Sequence, residues 1–153
     1  MRERSVEHAT FVVERTYDAS PDRVFAAWSD PEAKARWFDG SEGEVELDFR
    51  VGGRERRRGT LPDGRAYTFQ ALYQDIVQAR RIVFTYDMLL DETRISVSVA
   101  TVQFRPERAG TRLVFTEQGA FLDGHEMPGR REQGMGSLLD ALAAGLRSNR
   151  AGA

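Results

Sequence analysis

Residues 66–122 read AYTFQALYQDIVQARRIVFTYDMLLDETRISVSVATVQFRPERAGTRLVFTEQGAFL, and this stretch decides the architecture. Runs rich in β-branched and aromatic residues, Ala66–Val77, Arg81–Met88, Thr93–Arg105 and Thr111–Gln118, are separated by short polar joints such as 78–80 and 106–110. A parallel arrangement would need a crossover of a dozen or more residues between strands. None is present, so the stretch predicts an antiparallel meander. Pairing 66–77 with 81–88 puts Phe69, Ala71 and Tyr73 on one face with Phe84, Tyr86 and Met88. Continuing across the sheet adds Ile95, Val97 and Val99. Val102 and Phe104 fall in the opposite phase, so a β-bulge is expected near Ala100-Thr101. Val102 and Phe104 then join Leu113 and Phe115, and the same parity carries Glu117 onto the apolar face.

Working outward, His8–Tyr17 reads as a strand. Ser20-Pro21-Asp22 places an N-capping Ser before a Pro at the first helical position, opening a short helix through Val24, Phe25 and Trp28. Asp30-Pro31-Glu32 restarts the chain as a second short helix that ends near Trp37-Phe38, before Gly40 and Gly43. Val45, Leu47 and Phe49 alternate with acidic residues, Gly52-Gly53 turns the chain, and Arg54–Thr60 forms a polar strand before the turn at Pro62-Asp63-Gly64. From Arg130 to Arg147 the period becomes helical, with Met135, Leu138, Leu139, Leu142 and Leu146 on one stripe. That stripe must be buried, and the sheet is the only large partner. The expected fold is therefore α+β: about seven antiparallel strands curved around a long C-terminal helix, with two short helices after the first strand, residues 1–153 forming one domain. Gly134 and Gly136 near the helix start cost about 1 kcal/mol each relative to Ala. Close approach to the sheet, or a loose helix start that opens a cavity, would explain them.

Composition narrows the function classes. The 153 residues carry 22 basic and 24 acidic side chains, a net charge of −2 that argues against a nucleic-acid binder. With no cysteine, disulfides, thiolate nucleophiles and cysteine-ligated zinc are excluded. The charged opening MRERSVEHAT has no apolar core of a signal peptide, and no apolar run approaches the roughly 20 residues that span a bilayer. A cytoplasmic protein without a membrane partner is expected. No phosphate-binding glycine loop or nucleophile elbow occurs, and no cofactor is expected.

Four segments resemble a known family: FVVERTYDASPDRVFAAWSDPEAKARWF at 11–38, DFRVGGRERRRG at 48–59, TVQFRPERAGTRLVFTEQGAF at 101–121 and LLDALAAGL at 138–146. Together they are similar to the SRPBCC (START/Bet v 1-like) superfamily, in the branch named for the C-terminal domain of the activator of Hsp90 ATPase. The resemblance implies a helix-grip fold with a deep cavity under the last helix, and a homodimer. It does not imply one activity, because members include lipid and polyketide binders, cyclases and co-chaperone domains.

The expected function is binding of a small hydrophobic or amphipathic molecule in that cavity. The alternatives are a cyclase- or hydrolase-type enzyme in the same cavity and a co-chaperone-like interaction domain. The expected lining is Trp37, Phe38, Phe69, Tyr73, Phe84, Tyr86, Met88, Glu117, Phe121, Met135 and Leu139. Glu117 is the candidate catalytic residue: desolvated, its carboxyl would titrate high; at the rim, or paired with an arginine such as Arg15, it would be structural. An enzyme would draw on Glu117 and on Tyr67, Tyr73 or Tyr86. Arg15, on the face of Phe11, Val13 and Tyr17, either clamps an anionic ligand or forms a structural ion pair. Arg54, Arg56, Arg57, Arg58 and Arg65 read as a solvated edge hairpin rather than an anion patch. His8 and His125 lack metal-site spacing, so no metal is expected; His125, Asp123 and Glu126 form a polar loop at the expected cavity mouth.

Overall fold

A computed structural model describes residues 4–38 and 44–151, with side chains through Arg147. Gly40, Gly43, Gly152 and Ala153 lie outside the described residues. The order is β1 (Val6–Tyr17), α1 (Pro21–Ser29), α2 (Pro31–Ala35), β2 (Glu44–Leu47), β3 (Arg54–Thr60), β4 (Ala66–Val77), β5 (Arg81–Leu90), β6 (Thr93–Glu107), β7 (Gly110–Leu122) and α3 (Pro128–Ala151). The strands form one seven-stranded sheet in the order β1-β7-β6-β5-β4-β3-β2, every pair antiparallel. β1 closes the meander by pairing with β7 across the whole chain length, Val6 opposite Leu122 and Tyr17 opposite Thr111.

The helices start where side chains can satisfy their free N–H groups. Ser20 caps α1 by accepting from the Arg23 amide, and Asp30 caps α2 by accepting from the Glu32 amide. Val24, Phe25, Ala27 and Trp28 of α1 are buried. α3 lies on the same side of the sheet, burying Met135, Leu139 and Leu142. Three polar bonds fix it there: Tyr17 Oη donates to Leu139 O (2.8 Å), Arg15 Nε to Asp140 Oδ1 (2.7 Å) and Arg23 Nη2 to Leu146 O (3.2 Å). Arg15 is thus a tie between β1 and α3.

The β4–β5 register agrees with the sequence parity: Phe69, Ala71 and Tyr73 stand opposite Met88, Tyr86 and Phe84. β6 departs from it. Its pairing runs without interruption through Ala100 and Thr101 on both flanks, so the expected bulge there is absent. The irregularities fall instead between Tyr73 and Asp75, and between Met88 and Leu89, where Ile95 is the extra residue. As a result Ser96, Ser98, Ala100, Val102 and Phe104 are all buried, while Val97 and Val99 face outward at 46% and 38% exposure. The physical reason is that Val fits any pleated strand, outside or inside. The serines go inward because buried partners await their hydroxyls, described below.

The arginine-rich hairpin also departs from expectation. β3 is not the sheet edge, because β2 covers it. Glu55 and Arg57 point inward and are fully buried, together with Lys34 of α2. Lys34 Nζ bonds Glu55 Oε1 at 2.6 Å, Tyr73 Oη donates to the same oxygen at 2.6 Å, and Arg57 Nε donates to Glu55 Oε2. Lys34 and Arg57 also stack over Phe38, at 4.7 and 5.1 Å from the ring centre. Burial pulls the Glu55 carboxyl upward, but the charges of Lys34 and Arg57 outweigh it and hold the group below its ordinary range.

Candidate functional site

Between the concave face of the sheet and the first half of α3 the side chains leave a cleft of about 420 Å³. Its walls are Trp28 of α1, Phe38, Phe69 of β4, Phe84, Tyr86 and Met88 of β5, and Phe115 of β7; α3 and the loop before it add Glu126, Arg130, Arg131, Gly134, Met135 and Leu138. The aromatic walls are built by strand parity. Phe69 packs 4.9 Å from Tyr86, and Phe38 packs edge-on against Phe69 at 5.3 Å.

Six of the residues expected to line the cavity do so: Phe38, Phe69, Phe84, Tyr86, Met88 and Met135. The other five lie elsewhere. Trp37 packs on Trp28 and gives its Nε1 proton to Ala27 O, which fixes α2 on α1. Tyr73 belongs to the Lys34–Glu55 cluster. Leu139 is fully buried in the core. Phe121 lies beneath the Arg131 guanidinium at 5.2 Å. Glu117 sits behind the wall, bonded to Tyr86.

The polar end of the cleft is organised by Arg131, which stands one turn before Met135 on the same stripe of α3, a position that its charge hides from a hydrophobic pattern. Its Nε and Nη2 grip Glu126 through both carboxylate oxygens, at 2.7 and 2.8 Å. Nη2 also donates to Ser96 Oγ (2.9 Å), and Nη1 donates to Tyr86 Oη (2.9 Å) and more loosely to Glu117 Oε2 (3.4 Å). Tyr86 Oη and Ser98 Oγ each donate to that Glu117 oxygen, at 2.7 and 2.8 Å. This is why Ser96 and Ser98 face inward. Glu117 Oε1 is buried and has no partner among the described residues. The arginine near Glu117 is therefore Arg131, not Arg15.

Burial pushes the Glu117 carboxyl above its ordinary value, against the opposing pull of the Tyr86 hydrogen bond and the Arg131 charge. Burial and the neighbouring Glu117 push the Tyr86 hydroxyl up as well, so Tyr86 stays protonated and acts as a donor. For an acid with a raised folded-state pKa, the favourable state is the neutral one. Its contribution to stability is complete below the unfolded value of about 4.5 and is lost as pH rises through the folded value. Glu117→Gln, which keeps the shape and removes that titration, is expected to gain on the wild type between pH 4.5 and pH 7.5 in paired urea unfolding. A variant that loses ground over that interval would instead mark Glu117 as an ionised partner of Arg131.

The two helix glycines have different reasons. A Cβ on Gly136 would lie 3.0 Å from Arg15 Nη2, so the side chain that ties β1 to α3 crowds that position. A Cβ on Gly134 would meet nothing within 4 Å, so that glycine leaves open space at the cleft. His8 is exposed on β1, and no group of three or more metal-ligating side chains occurs among the described residues. Among the described residues no helix is long and apolar enough to cross a membrane.

Comparison with known proteins places the chain. No curated protein matches it. Among solved structures, an uncharacterized protein from Rhizobium leguminosarum is 48% identical, with 95% of this chain and 99% of that one covered at a TM-score of 0.91. The Mll3558 protein from Rhizobium loti is also 48% identical, over 92% of this chain and 99% of that one, at a TM-score of 0.88. The AHSA1-like protein from Aeromonas hydrophila shares the fold at 22% identity, 92% and 94% coverage and a TM-score of 0.69. The family model described as Activator of Hsp90 ATPase homolog 1-like protein matches residues 18–147, which is most of the chain and holds every residue that lines the cleft; β1 lies before the match. With the helix-grip arrangement already evident in its sheet and last helix, the chain belongs to the family of activator of Hsp90 ATPase homolog 1-like proteins.

Proposed function

We propose that the protein binds a hydrophobic or amphipathic small molecule in the cleft between the sheet and α3. The observation that carries this reading is the unfilled space itself, about 420 Å³ walled by six aromatic rings and ending on Glu126, Arg130 and Arg131. Closely packed interiors hold few voids larger than a water molecule, and ligand pockets begin at roughly 300 Å³ with mostly apolar walls and a few polar groups. The cleft-lining Trp28 adds a buried Nε1 proton with no acceptor among the described residues. A domain acting only through its outer surface would have no use for this space.

An enzymatic reading in the same cleft is favoured by one observation, the Tyr86 hydroxyl backed by Glu117. Tyr86 lines the cleft and holds its proton; in this reading its single O–H turns from Glu117 to a bound carbonyl and donates to the developing negative charge there.

The test of the binding reading uses 1-aminoanthracene, a neutral fluorescent probe. Saturable, micromolar binding to the native protein is expected. Gly134→Trp places a ring in the open space beside the cleft and should weaken that binding at least roughly tenfold. It should leave stability unchanged or slightly raised, because a glycine is removed from a helix. Equal binding by both proteins, or none by the wild type, overturns the reading.

A further inference from the structure

We infer that the molecule held in the cleft is an aryl monocarboxylate, and that its carboxylate takes the place of Glu126 on Arg131. The inference rests on the binding reading above and adds the ligand's chemical class.

Arg131 has five N–H donors, and all are in use. Their partners are of two kinds. Tyr86, Ser96 and Glu117 stand on sheet strands and are buried at 7%, 0% and 1% exposure. They cannot leave without breaking the core. Glu126 differs. It lies on the connection between β7 and α3, its side chain is 20% exposed, and among the described residues that side chain bonds Arg131 alone.

Glu126 also occupies the edge of the guanidinium that matters most for recognition. A carboxylate held by Nε and Nη2 through both oxygens is the bidentate geometry that arginine offers to any carboxylate. Both Glu126 and Arg131 line the cleft, so this pair forms its polar end. When Glu126 swings out, its charge regains water at little cost. The fork it vacates belongs to a side chain only 12% exposed, where a second carboxylate is a better partner than the little water that reaches it. Glu117 does not supply one, since burial favours its neutral form and its contact is a single long bond. Arg130, exposed beside Arg131 and also lining the cleft, adds a second positive charge at the entrance. A neutral ligand gains nothing from this end: it either leaves Glu126 in place or strands the guanidinium. The rings of Trp28, Phe38, Phe69 and Phe115 select a flat apolar body for the rest of the molecule.

The experiment titrates the full chain with 2-naphthylacetic acid and with its neutral amide, 2-naphthylacetamide, at pH 7.5. Wild type, Glu126→Ala and Arg131→Gln are compared, with 1-aminoanthracene displacement as a common readout. The acid should bind the wild type more tightly than the amide. Glu126→Ala should tighten the acid roughly tenfold by removing its internal competitor, the scale of one charge-assisted hydrogen-bonded pair, and leave the amide unchanged. Arg131→Gln should abolish the preference for the acid. Because Arg131→Gln removes a core tie, its thermal unfolding is measured alongside; if it does not fold, the Glu126→Ala result decides. An amide that binds as tightly as the acid, or an acid unaffected by Glu126→Ala, overturns the exchange while 1-aminoanthracene binding keeps the cleft reading. Failure of 1-aminoanthracene to bind the wild type overturns the cleft reading and this inference with it.

Discussion

Glu55→Gln is expected to destabilise the protein by about 3–5 kcal/mol, the range for removing one partner of a buried ion cluster. Among the described residues Glu55 is the single negative charge between Lys34 and Arg57, and all three are at most 1% exposed. Its two oxygens receive Lys34, Tyr73 and Arg57. Two further nitrogens of Arg57 already lack partners among the described residues, so the cluster has no reserve acceptor. Gln keeps the shape and one acceptor oxygen but leaves two buried cations uncompensated. The pH dependence carries the same signature. The folded-state pKa of Glu55 lies below the ordinary 4.5, so its contribution is present above that value and is lost as pH falls through the folded one. Urea unfolding at pH 7 should show the large loss, and the gap between variant and wild type should narrow on acidification below pH 4.5. A loss under about 1 kcal/mol at pH 7 would mean that water reaches the cluster, as at surface ion pairs.

That cluster was not legible in the sequence, and the reason is physical. Lys34 lies on a five-residue helix and Glu55 in a charged strand, 21 positions apart. Each looks like solvent-facing polarity by composition. Glu55 and Arg57 face inward because they pair with Ala71 and Phe69 on the core face of β4, and α2 lays Lys34 against them. The meander was legible because Phe69, Tyr73, Phe84 and Tyr86 repeat at period two on strands joined by a short turn. β6 misled for the converse reason. Val97 and Val99 satisfy the hydrophobic pattern while facing out, and Ser96 and Ser98 violate it while facing in. Polar residues that serve a buried carboxylate and guanidinium break the pattern wherever such a site is built. Glu117 was legible by parity from Leu113 and Phe115, yet its arginine was not. Arg15 shares the apolar face but is taken by Asp140, whereas Arg131 reaches in from the first turns of α3.

The α3 stripe permits a sharper test, because two adjacent leucines meet different surroundings. Leu139 is fully buried and packs within the continuous core. Leu139→Ala is expected to cost about 2–5 kcal/mol, the range for truncating a leucine in a closely packed site. Leu138 lines the cleft and is only partly buried. Part of its surface already faces empty space, so fewer packing contacts are lost with its methyl groups. Leu138→Ala should therefore cost clearly less than Leu139→Ala in parallel denaturant titrations. It should also enlarge the cleft and alter the affinity for 1-aminoanthracene, which Leu139→Ala reaches only by loosening the helix. Equal losses at the two positions would place Leu138 in a filled core and remove the space on which ligand binding depends.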